Sequence, residues 1–205
     1  MMTDNHDVRE KGRRRRMFLA LDLPPEAKSE VDRVRVAIEP QQLFRGRWTK
    51  TENLHVTLKF LGEIDESLVT GICASLRRVA FPPLSVYLDC LGVFDSHKRI
   101  RIIWIHLAGD AVVRLQRLID ETLADRFPVE QRFMSHVTIA RVKSVTDAGM
   151  LKRALDSIPV HRDSFTIDRF YLKESLLSSA GAKYGAIETY SATGGIATAA
   201  VNSNC

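Results

Sequence analysis

The sequence predicts an α+β fold with two related lobes, in which two mainly antiparallel sheets face a central cleft and carry helices on their outer sides. One observation is an internal repeat: HVTL at 55–58 recurs as HVTI at 136–139, 81 residues later (136 − 55). The other is that each half shows the same order of patterns, namely strand, helix, strand, helix, strand. Such a duplication brings equivalent strands to face each other across a pseudo-twofold axis.

The first half starts with a predicted strand at 16–23. Pro24 and Pro25 then begin a helix, because proline fits the first helical turn. The apolar stripe of this helix has helical spacing: Ala27, Val31, Val34 and Ile38. The strand with the first repeat leads to a second helix, for which Asp65 is the expected N-cap. Its expected buried stripe is Leu68, Ile72, Cys73, Leu76 and Val79. A strand over 84–94 closes this half.

The second half repeats this order. A strand is predicted over 99–107, and Asp110 is expected to cap a helix that continues to about Phe127. The apolar positions of that helix are Leu115, Leu118, Ile119 and Leu123. The strand with the second repeat is expected over 133–142. A helix near 147–157 and strands at about 160–172 and 184–191 complete the domain.

Positive charge is concentrated at the start of the chain. The 205 residues carry a formal net charge of +5, and residues 1–16 supply +3 from six Lys or Arg and three Asp or Glu, which leaves 5 − 3 = +2 for the rest. We expect residues 1–15 to form a disordered basic tail, whose Arg13–Arg16 run is either solvated or in contact with RNA phosphates. The domain is expected at 16–192, followed by a frayed tail at 193–205.

The cysteines and the hydropathy limit the class of protein. Cys73, Cys90 and Cys205 show no CxxC spacing, so we expect reduced thiols and neither a disulfide framework nor a zinc site. No apolar run approaches the roughly 18 residues of a membrane span, and the N-terminus is too polar for a secretory signal. We therefore expect a cytoplasmic protein without a membrane partner.

Each repeat places a histidine and a threonine on the polar side of a strand. With a period of two, His55 and Thr57 share one face, as do His136 and Thr138. One such pair is weak support for function, because threonine is common in strands. Two pairs at matching places of a duplicated plan favour function. The remaining histidines lack a repeated context and are interpreted as structural or surface residues: His6, His97, His106 and His161.

Two imidazoles and two hydroxyls facing one space suit displacement at phosphorus. An imidazole with a pKa near 6.5 accepts or donates a proton close to neutrality. One neutral and one protonated histidine on opposite sides of a substrate form a general base and a general acid. The threonine hydroxyls can hydrogen-bond phosphoryl oxygens. The sequence shows no carboxylate or cysteine at ligand spacing near either histidine, so a metal or other cofactor is not expected.

With these residues, the chain resembles the 2H phosphoesterase superfamily, and within it the RNA 2′,3′-cyclic phosphodiesterases, also known as 2′-5′ RNA ligases. The resemblance extends from Met17 to about Ser191. It is carried by MFLALDLP, RWTKTENLHVTLKFLG, HVTIAR and LKESLLSSAGAKYGAIETY. It implies the bilobal fold already predicted, and hydrolysis of a terminal RNA 2′,3′-cyclic phosphate to a 2′-phosphate.

The resemblance also implies residue roles. His55 is the proton donor to the departing ribose 3′ oxygen, and His136 is the proton acceptor that activates water. Thr57 and Thr138 hold phosphate oxygens. The same displacement with a ribose hydroxyl instead of water joins or cleaves 2′-5′ linkages in RNA.

Two further positions are equivalent in the repeats. Phe60 lies five residues after His55, and Arg141 lies five residues after His136. In the family, the aromatic ring stacks on a base and the arginine contacts a phosphate or ribose. Strict alternation puts both on the face opposite the histidines, unless a bulge or the end of the strand re-aims them. Tyr184 is interpreted as a core or turn aromatic in preference to the cleft wall.

Alternative functions remain open at this point. One is a related enzyme that acts on another cyclic or 2′-5′ nucleotide, and another is a non-catalytic RNA-binding module. The two complete His-x-Thr motifs argue against the module, because binding alone needs neither an acid nor a base. The expected partners are RNA ends or small cyclic nucleotides as substrate, and the protein is expected to be a monomer.

Overall fold

A computed structural model of the protein describes residues 13–178 and 181–192. Within these ranges it contains nine β-strands and four α-helices. The strands are β1 (Arg14–Asp22), β2 (Phe44–Trp48), β3 (His55–Asp65), β4 (Leu84–Ser96), β5 (Arg99–Ala108), β6 (His136–Val145), β7 (Phe165–Ile167), β8 (Arg169–Ser178) and β9 (Gly181–Ser191). The helices are α1 (Pro25–Ile38), α2 (Glu66–Leu76), α3 (Asp110–Thr122) and α4 (Ala148–Ser157).

The strand order shows the duplication directly. Neighbouring strands hydrogen-bond in the order β7-β4-β5-β6-β3-β1-β8-β9, and β2 pairs with β6. The strands form two lobes, of which the first is β3-β1-β8-β9 and the second is β7-β4-β5-β6 with β2. The lobes meet at β3 and β6, which are antiparallel and share a single paired position, Val56 with Val137. The α+β class and the antiparallel pairing are confirmed. The two predicted sheets are hydrogen-bonded to each other at this one position.

The third strand of each repeat belongs to the sheet of the other half. β4 follows α2 in the first repeat, yet it pairs with β5 of the second. β8 follows α4 in the second repeat, yet it pairs with β1 of the first. This exchange was not predicted from the sequence, because the order of elements along a chain does not specify which strands pair. It interlocks the two halves around their junction.

The two motif strands repeat in their irregularities as well. The first nine residues of β3 and of β6 have the same pattern of burial. In each strand the alternation is interrupted at the fourth and fifth residues, which are both buried. The register of β3 against β1 shifts between Lys59 and Thr57. The register of β6 against β5 shifts between Ala140 and Thr138. A β-bulge therefore occurs at the same place in both copies.

The helices follow the predictions except at a few positions and ends, and α2 ends at Leu76, before the predicted Val79. α1 buries the four predicted residues, and the Asp65 side chain caps α2 by accepting from the Ser67 N–H. In α2, however, Leu68 is exposed and Val69 is buried instead. α3 begins after Gly109, so Asp110 is its first residue and not its cap, and it ends at Thr122. None of the described helices is both long and apolar enough to cross a membrane.

The boundaries of some strands differ from the predictions. β1 begins at Arg14, so the last residues of the predicted tail belong to the sheet. Arg15 contacts Glu174 at 2.7 Å and Glu66 at 3.4 Å, so its guanidinium is engaged in ion pairs within the protein. β6 begins at His136 and not at 133. The strand predicted near 160–172 is two strands, β7 and β8. Residues 1–12 and 193–205 lie outside the described residues.

Candidate functional site

The junction of the two halves brings both His-x-Thr pairs to one face. Val56 and Val137 are fully buried, so the residues on either side of them face away from the core. Antiparallel pairing at this position places His55 across from Thr138 and Thr57 across from His136. All four side chains are half-buried. The structure therefore gathers the four motif residues around one point.

Each histidine is oriented in the same way. Nδ1 of His55 lies 2.6 Å from the Asn53 carbonyl, and Nδ1 of His136 lies 2.8 Å from the Met134 carbonyl. A carbonyl only accepts hydrogen bonds, so Nδ1 carries the proton in both rings. Nε2 is then the atom left to exchange a proton with a substrate.

Both histidines favour the neutral form in the free protein. Burial lowers the pKa of His55, and the positive charges of Lys173 and Arg141 act in the same direction, against the Asn53 carbonyl and the Asp22 carboxylate. Burial also lowers the pKa of His136, with His106 acting in the same direction and the Met134 carbonyl against it. The cause is general, since removal from water disfavours a charged imidazolium.

These shifts predict the position of the pH optimum. The expected reaction requires neutral His136 and protonated His55. Because both pKa values are lowered, both limbs of the kcat/KM profile should lie below pH 6.5, which is about the ordinary pKa of histidine. A bound phosphate favours the charged imidazoles, so the limbs of the kcat profile are expected at higher pH. Replacing Arg141 by Met removes a positive charge that lowers the pKa of His55. The alkaline limb of the kcat/KM profile should therefore shift to higher pH. A kcat/KM profile with both limbs above neutrality would contradict this expectation.

Aromatic rings form the wall of the site in the first lobe. The Phe18 ring centroid lies 5.2 Å from that of His55 and 5.1 Å from that of Tyr184. Tyr184 itself meets His55 edge-on at 5.1 Å. The interpretation of Tyr184 as a core or turn residue is therefore wrong, because its half-buried ring contacts His55. Trp48 packs edge-on against Phe44 at 5.2 Å.

The bulges decide where Phe60 and Arg141 point. After the bulge in β3, Lys59 is buried and Phe60 is 70% exposed. The equivalent positions of β6 are buried Ala140 and exposed Arg141. Strict alternation would have placed Phe60 and Arg141 in the core, and that expectation is wrong. The bulges re-aim both side chains, as the alternative interpretation required.

The re-aimed side chains lie near the first-lobe site. The Phe60 ring centroid is 6.1 Å from that of Phe18, which in turn contacts His55. Arg141 is exposed on β6, and its positive charge contributes to the lowered pKa of His55. Phe60 and Arg141 therefore offer an exposed ring and a cation beside the motif residues.

A partly buried ion pair also lies next to His55. Asp22 is the cross-strand neighbour of His55, and both of its carboxylate oxygens accept from Lys173 Nζ, at 2.5 and 2.7 Å. Neither Asp22 nor Lys173 is predicted from the sequence to lie at the site. The available signal was a charged residue at the end of an otherwise apolar strand, in MFLALD. The matching position of the second repeat is His106, which is the cross-strand neighbour of His136.

The second lobe presents its own wall. The Phe94 ring meets His136 edge-on at 4.8 Å and lies 5.3 Å from the Trp104 ring. A Cβ atom at Gly92 would lie 2.2 Å from the Trp104 ring, so glycine is required where the indole crosses β4. His106 was interpreted as structural or surface, but it lies beside His136 and is half-buried.

Comparison with known proteins agrees with this architecture. The family model for LigT-like phosphoesterases matches residues 21–104 and 107–184. The RNA 2′,3′-cyclic phosphodiesterase of Methanocaldococcus jannaschii is 32% identical over 181 residues, which cover 85% of this chain and 99% of that protein. The protein of the same name from Thermotoga maritima is 30% identical over 185 residues, 88% of this chain and 97% of its own length.

Among solved structures, Escherichia coli LigT in complex with 3′-AMP superposes with a TM-score of 0.69 at 23% identity. The superposition covers 88% of this chain and 98% of LigT. At 23% identity this superposition shows a shared fold alone. The family is shown by the family model and by the two relatives, which match most of the sequence. The protein with two His-x-Thr strands at its junction therefore belongs to the LigT-like phosphoesterase family of the 2H superfamily.

Proposed function

We propose that the protein hydrolyses RNA terminal 2′,3′-cyclic phosphates to 2′-phosphates by two-histidine general acid and base catalysis. The observation that carries the proposal is the junction itself: one paired position sets His55 and His136 on the same face. Each ring is held by the backbone carbonyl of the residue two positions earlier, Asn53 or Met134, so that Nε2 is free. The two curated relatives share the name RNA 2′,3′-cyclic phosphodiesterase, and the E. coli neighbour binds 3′-AMP.

The proposed reaction is an in-line displacement at phosphorus. Nε2 of neutral His136 takes a proton from water, and the water oxygen attacks the cyclic phosphate. Protonated His55 gives its Nε2 proton to the departing ribose 3′ oxygen, which leaves a 2′-phosphate. The protons balance, because the base gains the one that the acid loses. With a ribose hydroxyl in place of water, the same displacement forms a 2′-5′ linkage.

The remaining site residues bind the substrate in this proposal. Thr57 and Thr138 lie across from the two histidines and can donate hydrogen bonds to the non-bridging phosphate oxygens, where negative charge builds up. Arg141 adds a positive charge for the phosphate. Phe60, with its 70% exposed ring, offers a stacking surface for the terminal base.

The deciding experiment uses an RNA oligomer that ends in a 2′,3′-cyclic phosphate, incubated with the enzyme in EDTA. We expect complete conversion to the 2′-phosphate, because the two imidazoles supply both proton transfers. The position of the product phosphate is determined by resistance to a 3′-specific phosphatase. Strict dependence on an added divalent cation would contradict the two-histidine mechanism. A 3′-phosphate product would contradict the assignment of the leaving oxygen.

The threonines provide a separate prediction. Thr57→Val and Thr138→Val each replace a hydroxyl by a methyl group. The side-chain volume hardly changes, so the fold should persist. A hydrogen bond to a charged group contributes about 1.5–3 kcal/mol, so we expect kcat/KM to fall by roughly 10-fold to 10²-fold in each variant. Thr189→Val, in β9 and away from the motif strands, is the matched control and should leave kcat/KM unchanged. If all three variants had the same kcat/KM, the hydroxyls of Thr57 and Thr138 would have no role in the reaction.

A further inference from the structure

A further bulge, in β4, brings together three side chains of a different kind. The register of β4 against β5 shifts by one residue between Leu88 and Leu91. As a result, two consecutive residues of β4, Asp89 and Cys90, stand opposite the single residue His106 of β5. In a regular strand these two side chains would point to opposite faces, and the bulge re-aims them. The sequence spacing alone does not predict this group.

The donor atoms of the three side chains lie close together. One oxygen of Asp89, the sulfur of Cys90 and one ring nitrogen of His106 are all within 4.8 Å of one another. His106 Nδ1 and Asp89 Oδ2 are 3.5 Å apart. A tetrahedral zinc ion, with bonds of about 2.0–2.3 Å, holds its ligand atoms roughly 3.3–3.6 Å apart. Small side-chain movements therefore suffice to place all three atoms around one ion.

We propose that Asp89, Cys90 and His106 form a binding site for a thiophilic divalent cation, of which Zn²⁺ fits best. A thiolate, an imidazole and a carboxylate are the donor types that zinc takes in proteins, whereas Mg²⁺ and Ca²⁺ select oxygen ligands. Three protein ligands leave a fourth position for water. Cys90 is exposed, and Asp89 and His106 are half-buried, so an ion has access from solvent.

Arg162 neutralises the carboxylate of this group when no cation is bound. Its Nη2 lies 2.5 Å from Asp89 Oδ1, an oxygen that is buried and makes no aligned hydrogen bond. The Arg162 side chain is 67% exposed, so it can withdraw into solvent when a dication arrives. The other oxygen of Asp89 faces His106. The carboxylate can thus serve the cation through Oδ2.

The proposed cation site borders the candidate active site. His106 is the cross-strand neighbour of His136, so the ion would lie one strand away from the proposed general base. The two-histidine reaction does not require this ion, and the cation site is independent of the proposed function. Binding, and not activity, is therefore its test.

The experiment is a titration of the metal-free full-length protein with Zn²⁺, in which the absorbance of a competing chelator reports the free ion. A parallel titration uses Co²⁺. We expect one Zn²⁺ per chain and, with Co²⁺, the near-ultraviolet absorption of a thiolate–cobalt bond. Cys90→Ser should abolish that absorption. Cys90→Ser and His106→Gln should each weaken Zn²⁺ binding by at least about 10²-fold, since losing even a residue that only orients a ligand costs about 10–100-fold.

Matched variants separate this site from adventitious binding. His161 contacts Glu30 at 3.2 Å and is not one of the three grouped donor residues, so His161→Gln should leave Zn²⁺ affinity unchanged. Cys205→Ser should do the same, although Cys205 lies outside the described residues. Thermal unfolding without metal verifies that each variant is folded, and Asp89→Asn provides a third ligand variant. Wild-type affinity in Cys90→Ser and His106→Gln, or loss in Cys205→Ser, would overturn the proposal, whatever the hydrolysis assay in EDTA shows.

Discussion

Replacing His55 or His136 by Ala is expected to lower the turnover of a 2′,3′-cyclic phosphate by at least about 10²-fold, the usual scale for a general acid or base. The same replacements should change thermal stability little, because both rings face the site and make one backbone hydrogen bond each. The measurements are kcat on a cyclic mononucleotide and the melting temperature of each variant.

The choice of leaving group separates the two histidines. The nitrophenolate of a nitrophenyl phosphodiester leaves without being protonated. His55→Ala should therefore recover much of its activity on such a substrate. Its alkaline limb should also vanish, leaving a rate that rises with pH and then levels. The His136→Ala variant should gain nothing, because water still lacks a base. Rescue of the His136 variant alone would reverse the assignment of acid and base.

Two histidines outside the site serve as controls. His97 lies in the turn between β4 and β5 and is exposed, and His161 pairs with Glu30. His97→Ala and His161→Ala should retain normal turnover. A His55→Ala enzyme with nearly normal turnover and a clearly lower melting temperature would show that this residue is structural and that the two-histidine mechanism is wrong.

The largest effect on stability is expected at a buried ion pair between the lobes. Lys59 follows the bulge of β3, and its ammonium bonds to Asp120 of α3 and to the Pro128 carbonyl at 2.7 Å. The second oxygen of Asp120 accepts from Gln116 at 2.6 Å and from the Glu130 N–H at 2.9 Å. The side chains of Lys59 and Asp120 are 4% and 2% exposed. This network fixes the segment that leads to His136.

Lys59→Met is expected to lower the free energy of unfolding by about 3–5 kcal/mol. The replacement keeps an unbranched side chain but leaves the Asp120 carboxylate buried without its cation, and breaking a buried pair on one side costs this amount. Removing both charges in Lys59→Met/Asp120→Leu should cost less than the sum of the two single changes, because no buried charge is left alone. Denaturant unfolding at neutral pH measures all three values.

The matched control is an exposed pair. Lys152 and Asp95 lie 3.7 Å apart with side chains 51% and 46% exposed. Lys152→Met should change the unfolding free energy by at most about 1 kcal/mol, since an exposed ion pair is screened by water. If Lys59→Met and Lys152→Met proved equally stable, the buried pair would have no special role in the fold.

The repeated motif made much of the candidate site predictable. Two copies of His-x-Thr at matching places of a duplicated plan identify the four central residues without any coordinates. Alternation then places each pair on one strand face, and that prediction holds because the motif residues precede the bulge in each strand. The α+β class followed in the same way from short strands that alternate with amphipathic helices.

Positions beyond the bulges could not be predicted. A bulge inserts one residue, and every side chain after it changes face, so Phe60 and Arg141 moved from an expected core position to the exposed side. The bulge in β4 likewise set Asp89 and Cys90 together opposite His106. Periodicity assumes regular backbone geometry, and no residue in these segments signals the irregularity.

The sequence by itself determined the fold class, the duplication and the four motif residues, because these depend on local periodicity and on a repeat visible along the chain. Only the tertiary structure decided which distant residues accompany them. Tyr184 and Lys173 reach His55 because β8 leaves its own repeat to pair with β1 and carries β9 with it. Pairing between distant strands depends on how the whole core packs, and that information is not contained in the pattern of any single segment.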